Sequence, residues 1–320
     1  MKTVAVTGAT GFIGQALVGR LVDRAAKIQI LTRNFKKGIK LWPSGPVEVF
    51  EGDLVDSAHA LEHFLQEVDI LFHCAGEIRD PNKMQSTHVG GTRNLCLAAT
   101  SKIRHWVQLS SVGVYGPVRE GIVTEDTRIN PKGLYETTKA ESDRLIVQAA
   151  EKGVFTFSIL RPSVVFGSKM PNQSLFQLIN MIVKGVFFFI GKEGASANYI
   201  HIDNVIEGLM RCAENPAARG QIYNLSDYRT IEEFVAIISN KLKKPLPRLR
   251  LPETSVRYIT RFIGRLKGFP LSESRVDALT NHAVYSNRRI ETELGYSHVI
   301  TMEDGIAQMV AAWETMQTNR

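Results

Sequence analysis

An α/β fold with a doubly wound parallel sheet is predicted by three observations. Short β-branched runs alternate with segments of helical spacing through the first half of the chain. The first run ends in a glycine-rich turn that opens a helical segment. Proline then breaks the rhythm in the second half, at Pro162, Pro171, Pro216, Pro245, Pro247, Pro252 and Pro270. Strands separated by helical crossovers must be parallel and covered on both faces.

The elements follow in order. Residues 4–7 form a short apolar run meeting Gly8, which reads as a buried strand and is too short for a secretory h-region. Further strands are expected at residues 29–31, 47–50, 70–73, 106–110 and 155–160, with helices at 14–23, 58–66, 92–100 and 136–150. Beyond Phe166 mixed helical segments dominate. The expected organisation is a dinucleotide-binding unit of Rossmann type over residues 1–165 and a smaller, mostly helical substrate lobe over 166–320. Part of 199–225 returns to the first unit.

Composition excludes several classes. Of 320 residues, 44% are hydrophobic and 22% charged, as in a globular protein and unlike a disordered or fibrous one. The most apolar stretch, residues 181–190, contains Lys184 and Gly185 and falls short of the ~20 residues a membrane span needs. Cys74, Cys96 and Cys212 lie far apart without a paired spacing. Neither a disulfide framework nor a metal site is expected, and a cytoplasmic location fits. Net charge is +7, yet the charges are interspersed and nucleic-acid motifs are absent, so no nucleic-acid partner is expected.

Ligands in doubly wound sheets bind beyond the carboxyl ends of the strands. Thr7-Gly8-Ala9-Thr10-Gly11-Phe12-Ile13-Gly14 lies there. Gly8 permits a tight turn, Gly11 lets backbone approach a pyrophosphate, and Gly14 lets the helix pack closely on the strand. The second strand ends at Arg33, with Lys36 and Lys37 behind it, where NAD sites place a carboxylate. A guanidinium suits a 2′-phosphate, so NADP is favoured over NAD. Arg33 as a solvated cation, or stacked on adenine, remains the alternative. Asp53 and Leu54 after the third strand, and Ala75 and Gly76 after the fourth, are further cofactor candidates, as is Pro162.

Tyr135 and Lys139 stand one helical turn apart on one face. An ammonium beside a phenol favours the phenolate, lowering a pKa that starts at ~10 towards that of a useful base. Ser110-Ser111 ends the fifth strand, where a hydroxyl can bond the same substrate oxygen.

With these residues assembled, the chain resembles the extended short-chain dehydrogenase/reductase family, the NAD(P)-dependent epimerase/dehydratase group. The matching motifs begin with the glycine turn, Gly52-Asp53-Leu54, Val89-Gly90-Gly91-Thr92 and Ser110-Ser111-Val112-Gly113-Val114-Tyr115-Gly116. They continue through Tyr135/Lys139, Leu160-Arg161-Pro162, Tyr199-Ile200-His201, Tyr223-Asn224-Leu225 and Glu293-Leu294-Gly295-Tyr296. The resemblance implies that Tyr135 is the general acid/base, that Lys139 holds the nicotinamide ribose and that Ser111 positions the reacting oxygen. It also implies a homodimer built on the helices that begin near Thr92 and Glu136.

Four departures narrow this reading. Val112 and Gly113 replace the Asp-Glu pair of sugar dehydratases, which argues against a 4,6-dehydratase. Ala197 stands where nucleotide-sugar members carry a diphosphate-binding arginine. Arg275 is a candidate replacement, or else a surface ion-pair partner; with Ser111 and Asn172 it completes the candidate substrate contacts. His88 replaces an asparagine, and a neutral imidazole is expected to supply one of the amide's functions, not both. Lastly, Arg33 suits a reductase that exchanges its cofactor better than an epimerase that retains it.

The expected function is NAD(P)-dependent interconversion of a secondary alcohol and a ketone, foremost on a nucleotide-sugar. A 4-epimerase, a 3β-hydroxysteroid-type dehydrogenase and a non-catalytic NADP(H) sensor are the alternatives. The steroid reading gains if residues 187–189, three phenylalanines, line the pocket; core packing is preferred. A basic amphipathic segment follows, with Tyr258, Ile259, Phe262, Ile263 and Leu266 at helical spacing between Arg257 and Lys267. It reads as a packed stripe beneath a solvated face, with peripheral membrane contact as the alternative.

Overall fold

Seven strands form one parallel sheet in the computed structural model, which describes residues 3–99, 103–171, 173–263 and 273–318. They are β1 (Thr3–Thr7), β2 (Lys27–Thr32), β3 (Val47–Glu51), β4 (Ile70–His73), β5 (His105–Leu109), β6 (Thr156–Pro162) and β7 (Gln221–Leu225). Their spatial order is β7-β6-β5-β4-β1-β2-β3, so strand order reverses between β1 and β4. Val6 is registered with Ile30 of β2 and Phe72 of β4.

Alternation along β1 explains why both faces are covered. Val4 and Val6 enter one apolar cluster with Leu17, Val18 and Leu21 of the helix Phe12–Leu21 and with Val205 and Leu209 of Ile202–Glu214. Ala5 points the other way, into a cluster with Leu95 of Gly91–Ala98 and Ile146 of Leu134–Glu151.

The observed elements follow the expected ones with local differences. The helix expected at 58–66 stops at Glu62, and Glu67 beyond it has φ 60°. The strand expected to reach Ser110 ends at Leu109. A helix at Phe35–Leu41 was not expected; Asn34 caps it by accepting from the Lys37 N–H at 2.9 Å.

The second half carries helices Ser174–Val183, Ile231–Lys241, Glu253–Ile263, Glu273–Thr280, Arg288–Leu294 and Met302–Thr318. It also contributes short strands to three small sheets, which the proline-rich sequence concealed. Phe187 and Phe189 are each 6% exposed and pack in the lobe's own core with Phe166, Ile179, Phe234 and Ile306. They do not line the large cleft above the strand ends.

Among the described side chains of the helix Glu253–Ile263 the buried positions are Val256 and Thr260, while Tyr258 and Ile259, expected in a packed stripe, are exposed. The remainder of that basic segment lies outside the described residues, as does Asn172. Among the described residues no helix is long and apolar enough to cross a membrane.

Candidate active site in the cleft above the strand ends

A cleft of about 1660 Å³ opens where the strand order reverses. It is lined by Gly8, Thr10, Gly11, Phe12, Ile13, Gly14, Arg33, Asp53, Leu54, Ala75, Gly76, Ser111, Tyr135, Lys139 and Pro162. Every described residue expected to contact cofactor therefore borders one space.

The glycine turn is built by close approach. Gly8 has φ +69°, and a Cβ there would stand 2.7 Å from the backbone of Ala75. A Cβ on Gly14 would fall 2.2 Å from the Gly8 carbonyl oxygen. Gly11 precedes the helix Phe12–Leu21 without a capping side chain, leaving the helix's first N–H groups to face the cleft. Such groups, with the helix dipole behind them, fit a pyrophosphate. Lys37 lies over the same turn, its Nζ donating to the Thr10 carbonyl at 3.0 Å. Arg33 is exposed, with the Asp53 carboxylate 3.8 Å away.

Ser111, Tyr135 and Lys139 converge at the inner end. Ser111 follows β5, and its Oγ accepts from the Gly113 N–H at 3.1 Å. Its hydroxyl is near enough to the Tyr135 phenol to favour the phenolate. Lys139 is buried one turn along the helix and donates to the Leu109 carbonyl at 2.6 Å. The expected tuning of Tyr135 by Lys139 is not what results. Burial pushes the phenol up to about 12, the Glu136 and Asp143 carboxylates add to this, and only the neighbouring Ser111 hydroxyl opposes it. Lys139 is itself lowered from its ordinary value by burial, with Asp143 opposing. The phenol is therefore an acid at neutral pH.

Beneath these groups lies a buried polar layer. Arg161 and Asp143 form an ion pair at 3.2 Å, with both side chains nearly inaccessible. Ser110 donates to the same Asp143 oxygen at 2.7 Å, and Arg161 also donates to the Tyr115 hydroxyl at 3.1 Å. Sequence reasoning missed this layer, since nothing local marks residues 18 apart as partners.

His88 corrects a further expectation. It sits in a π-helical turn, Gln85–Gly90, and makes both bonds available to a neutral imidazole. Nε2 accepts from the Glu77 N–H at 2.8 Å, which leaves the ring proton on Nδ1 to be donated to Thr138 Oγ1 at 2.7 Å. The Thr138 hydroxyl donates in turn towards the Leu134 and Tyr135 carbonyls. Burial lowers the His88 pKa to about 4, which keeps the ring neutral. One ring thus ties the cleft wall at Glu77 to the first turn of the Tyr135 helix, with its face edge-on to Tyr135 at 5.6 Å.

The expected substrate contacts divide. Val112 and Gly113 border the cleft and can move no proton. Ala197 is buried in the lobe core and does not line the cleft. Arg275 donates to Gln177 at 2.6 Å and does not line the cleft. Side chains the sequence did not single out, including Lys169, Gln173, Tyr285 and Gln308, line it instead. Across its mouth Arg79 donates to the Pro171 carbonyl at 3.3 Å.

The sequence pattern of the NAD dependent epimerase/dehydratase family matches residues 4–226. A 3 beta-hydroxysteroid dehydrogenase/Delta 5-->4-isomerase of Mycobacterium tuberculosis is 28% identical, over 95% of this chain and 88% of that protein. A UDP-glucose 4-epimerase of Vibrio cholerae is 23% identical, over 98% and 95% respectively. The structure of UDP-glucuronic acid 4-epimerase from Bacillus cereus in complex with NAD superposes with a TM-score of 0.77. It is 19% identical, with 99% of each chain covered, and shares the fold.

Proposed function

Because the chain belongs to the NAD dependent epimerase/dehydratase family, we propose that it is an NADP-dependent oxidoreductase interconverting a secondary alcohol and a ketone. The observation that carries this reading is the meeting of Ser111, Tyr135 and Lys139 in one cleft with the glycine turn. A bound nicotinamide cofactor supplies or accepts the hydride. Tyr135 supplies the matching proton: its phenol protonates the carbonyl oxygen as a ketone is reduced and recovers a proton from the alcohol in the reverse direction. Ser111 orients that oxygen by hydrogen bonding, and Lys139 holds a cation at the buried end of the site. At neutral pH the raised phenol carries the proton that ketone reduction needs.

Preference for NADP is supported by Arg33 and Lys37, both lining the cleft, in place of a carboxylate at the end of β2. Asp53 leaves Arg33 exposed, so its fork remains available to a 2′-phosphate. The lobe over residues 166–320 is taken to bind substrate, and the resemblance supports a homodimer.

A nucleotide-sugar is the first substrate class, in keeping with the Vibrio cholerae relative. An apolar alcohol or ketone is the second, favoured by a specific observation: neither Ala197 nor Arg275 is placed to hold a diphosphate. The test measures NADPH and NADH binding, then cofactor oxidation with a UDP-4-keto-sugar and with a steroid 3-ketone. Tighter NADPH binding that falls towards NADH in Arg33→Ala, and ketone-dependent oxidation abolished by Tyr135→Phe, are expected. Absence of binding by either cofactor would overturn the reading.

A further inference from the structure

Two short strands, Phe189–Ile190 and Arg250–Leu251, pair in parallel. The segments leading into them therefore emerge at one edge of the lobe, as the Phe189 N–H bonded to the Leu249 carbonyl at 2.9 Å shows. One segment is the turn after Ser174–Val183, with Lys184 and Val186 exposed. The other follows Ile231–Lys241, with Lys243, Lys244, Leu246, Arg248 and Leu249 exposed.

Two features set this edge apart. Residues 181–192 and 241–252 contain no Asp or Glu. Two arginines nearby are paired, Arg250 with Glu232 at 2.6 Å and Arg257 with Glu253 at 2.7 Å. Among the described residues Lys184, Lys243, Lys244 and Arg248 make no such pair. Between them Val186, Leu246 and Leu249 are 55%, 49% and 58% exposed. Secondly, Lys243 has φ 54°, at the helix C-terminal position where glycine is the unstrained residue. A cation therefore stands where the backbone conformation favours glycine.

We propose that this edge docks on an anionic lipid bilayer. Lysine and arginine meet the headgroups, while the three aliphatic side chains enter the boundary with the acyl chains. An acidic protein or polyanion would answer the charge but leave those aliphatic groups against polar surface. None of these residues lines the cleft, so the proposal stands apart from the reading of the catalytic site.

The test is sedimentation of the full chain with vesicles of phosphatidylcholine, alone or mixed with phosphatidylserine. Binding to the mixed vesicles only, weakened by salt, is expected. Lys243→Gly should raise the melting temperature yet weaken vesicle binding about fivefold, a combination misfolding cannot produce. Lys244→Glu with Arg248→Glu should weaken it further, and Leu246→Ser with Leu249→Ser should weaken it even at low salt. NADPH binding should be unchanged throughout. Failure to bind mixed vesicles, unchanged binding by Lys243→Gly, or retention on a soluble polyanion without vesicle binding would each overturn the proposal.

Discussion

Replacing Gly14 and Gly11 separately by alanine should dissociate folding from cofactor binding. At Gly14 the new Cβ would lie 2.2 Å from the Gly8 oxygen, 2.7 Å from its carbon and 2.8 Å from the Ala9 Cα. Those are backbone atoms, so no rotamer change relieves the contact. The turn must retreat by about 0.8 Å to reach the 3.0 Å that real Cβ atoms respect. Because the same Gly8 oxygen accepts from the Gly11 N–H at 2.9 Å, the retreat distorts the anion-facing groups too. Overpacking of this kind costs about 3 kcal/mol, or roughly 5 °C in Tm for a chain of this size.

Gly11 differs: its nearest neighbour would be the Gly8 oxygen at 3.1 Å, and its φ −88°, ψ 176° suit alanine. Gly11→Ala should keep the stability of the free protein within about 0.5 kcal/mol. Its methyl group would stand where a pyrophosphate approaches, so NADPH affinity should fall at least about tenfold. Thermal denaturation and calorimetric titration of both variants decide the matter. A Gly14→Ala protein with unchanged Tm would refute the packing argument. A Gly11→Ala protein with unchanged affinity would refute the placement of the pyrophosphate.

Other perturbations have equally definite outcomes. Tyr135→Phe should lower turnover by about 10³-fold while leaving NADPH affinity intact, and a rate within tenfold of the parent would remove the proton from this side chain. In the cofactor-free protein, phenolate absorbance assignable to Tyr135 by difference from that variant should emerge only near pH 12. Since the His88 pKa is lowered from 6.5 to about 4, its stabilisation is present above pH 6.5 and lost as pH falls towards 4. That loss reaches about 3 kcal/mol by pH 4 and about 2 kcal/mol by pH 5, read as a urea midpoint that drops between pH 7 and 5 and drops less in His88→Asn. Arg161→Met should cost about 3–5 kcal/mol by stranding the Asp143 carboxylate, and adding Asp143→Asn should restore much of it. Additive losses in the double variant would mean the two do not act as a pair.

The central sheet was legible because its signals are local. Apolar β-branched runs such as residues 4–7 and 70–73 end in glycine or small residues, and Tyr135 and Lys139 share a helix face by spacing alone. What was not legible depends on partners distant in the chain. The pairing of Phe189–Ile190 with Arg250–Leu251 joins two-residue segments about sixty residues apart, too short to carry a periodic pattern. Helical spacing promised a Lys139 effect on Tyr135, but the Leu109 carbonyl engages the ammonium and burial outweighs it. His88 looked like an incomplete replacement for an amide because its two partners, Glu77 and Thr138, lie on different elements. Ala197 and Arg275 were judged by position within motifs, whereas burial and a bond to Gln177 decide what they can reach.

The seventh strand has a consequence for how the protein is made. β6 is buried along nearly its whole length, and its outer edge is paired only by β7, residues 221–225. During synthesis β6 leaves the ribosome about sixty residues ahead of that partner, an interval of several seconds at ordinary elongation rates. Throughout it the nascent chain presents an apolar strand with unmet backbone bonds, a template for wrong pairing. Helper chaperones would meet their client in that window, and slowed translation between codons 162 and 221 should raise the aggregated fraction without changing a single residue of the finished molecule.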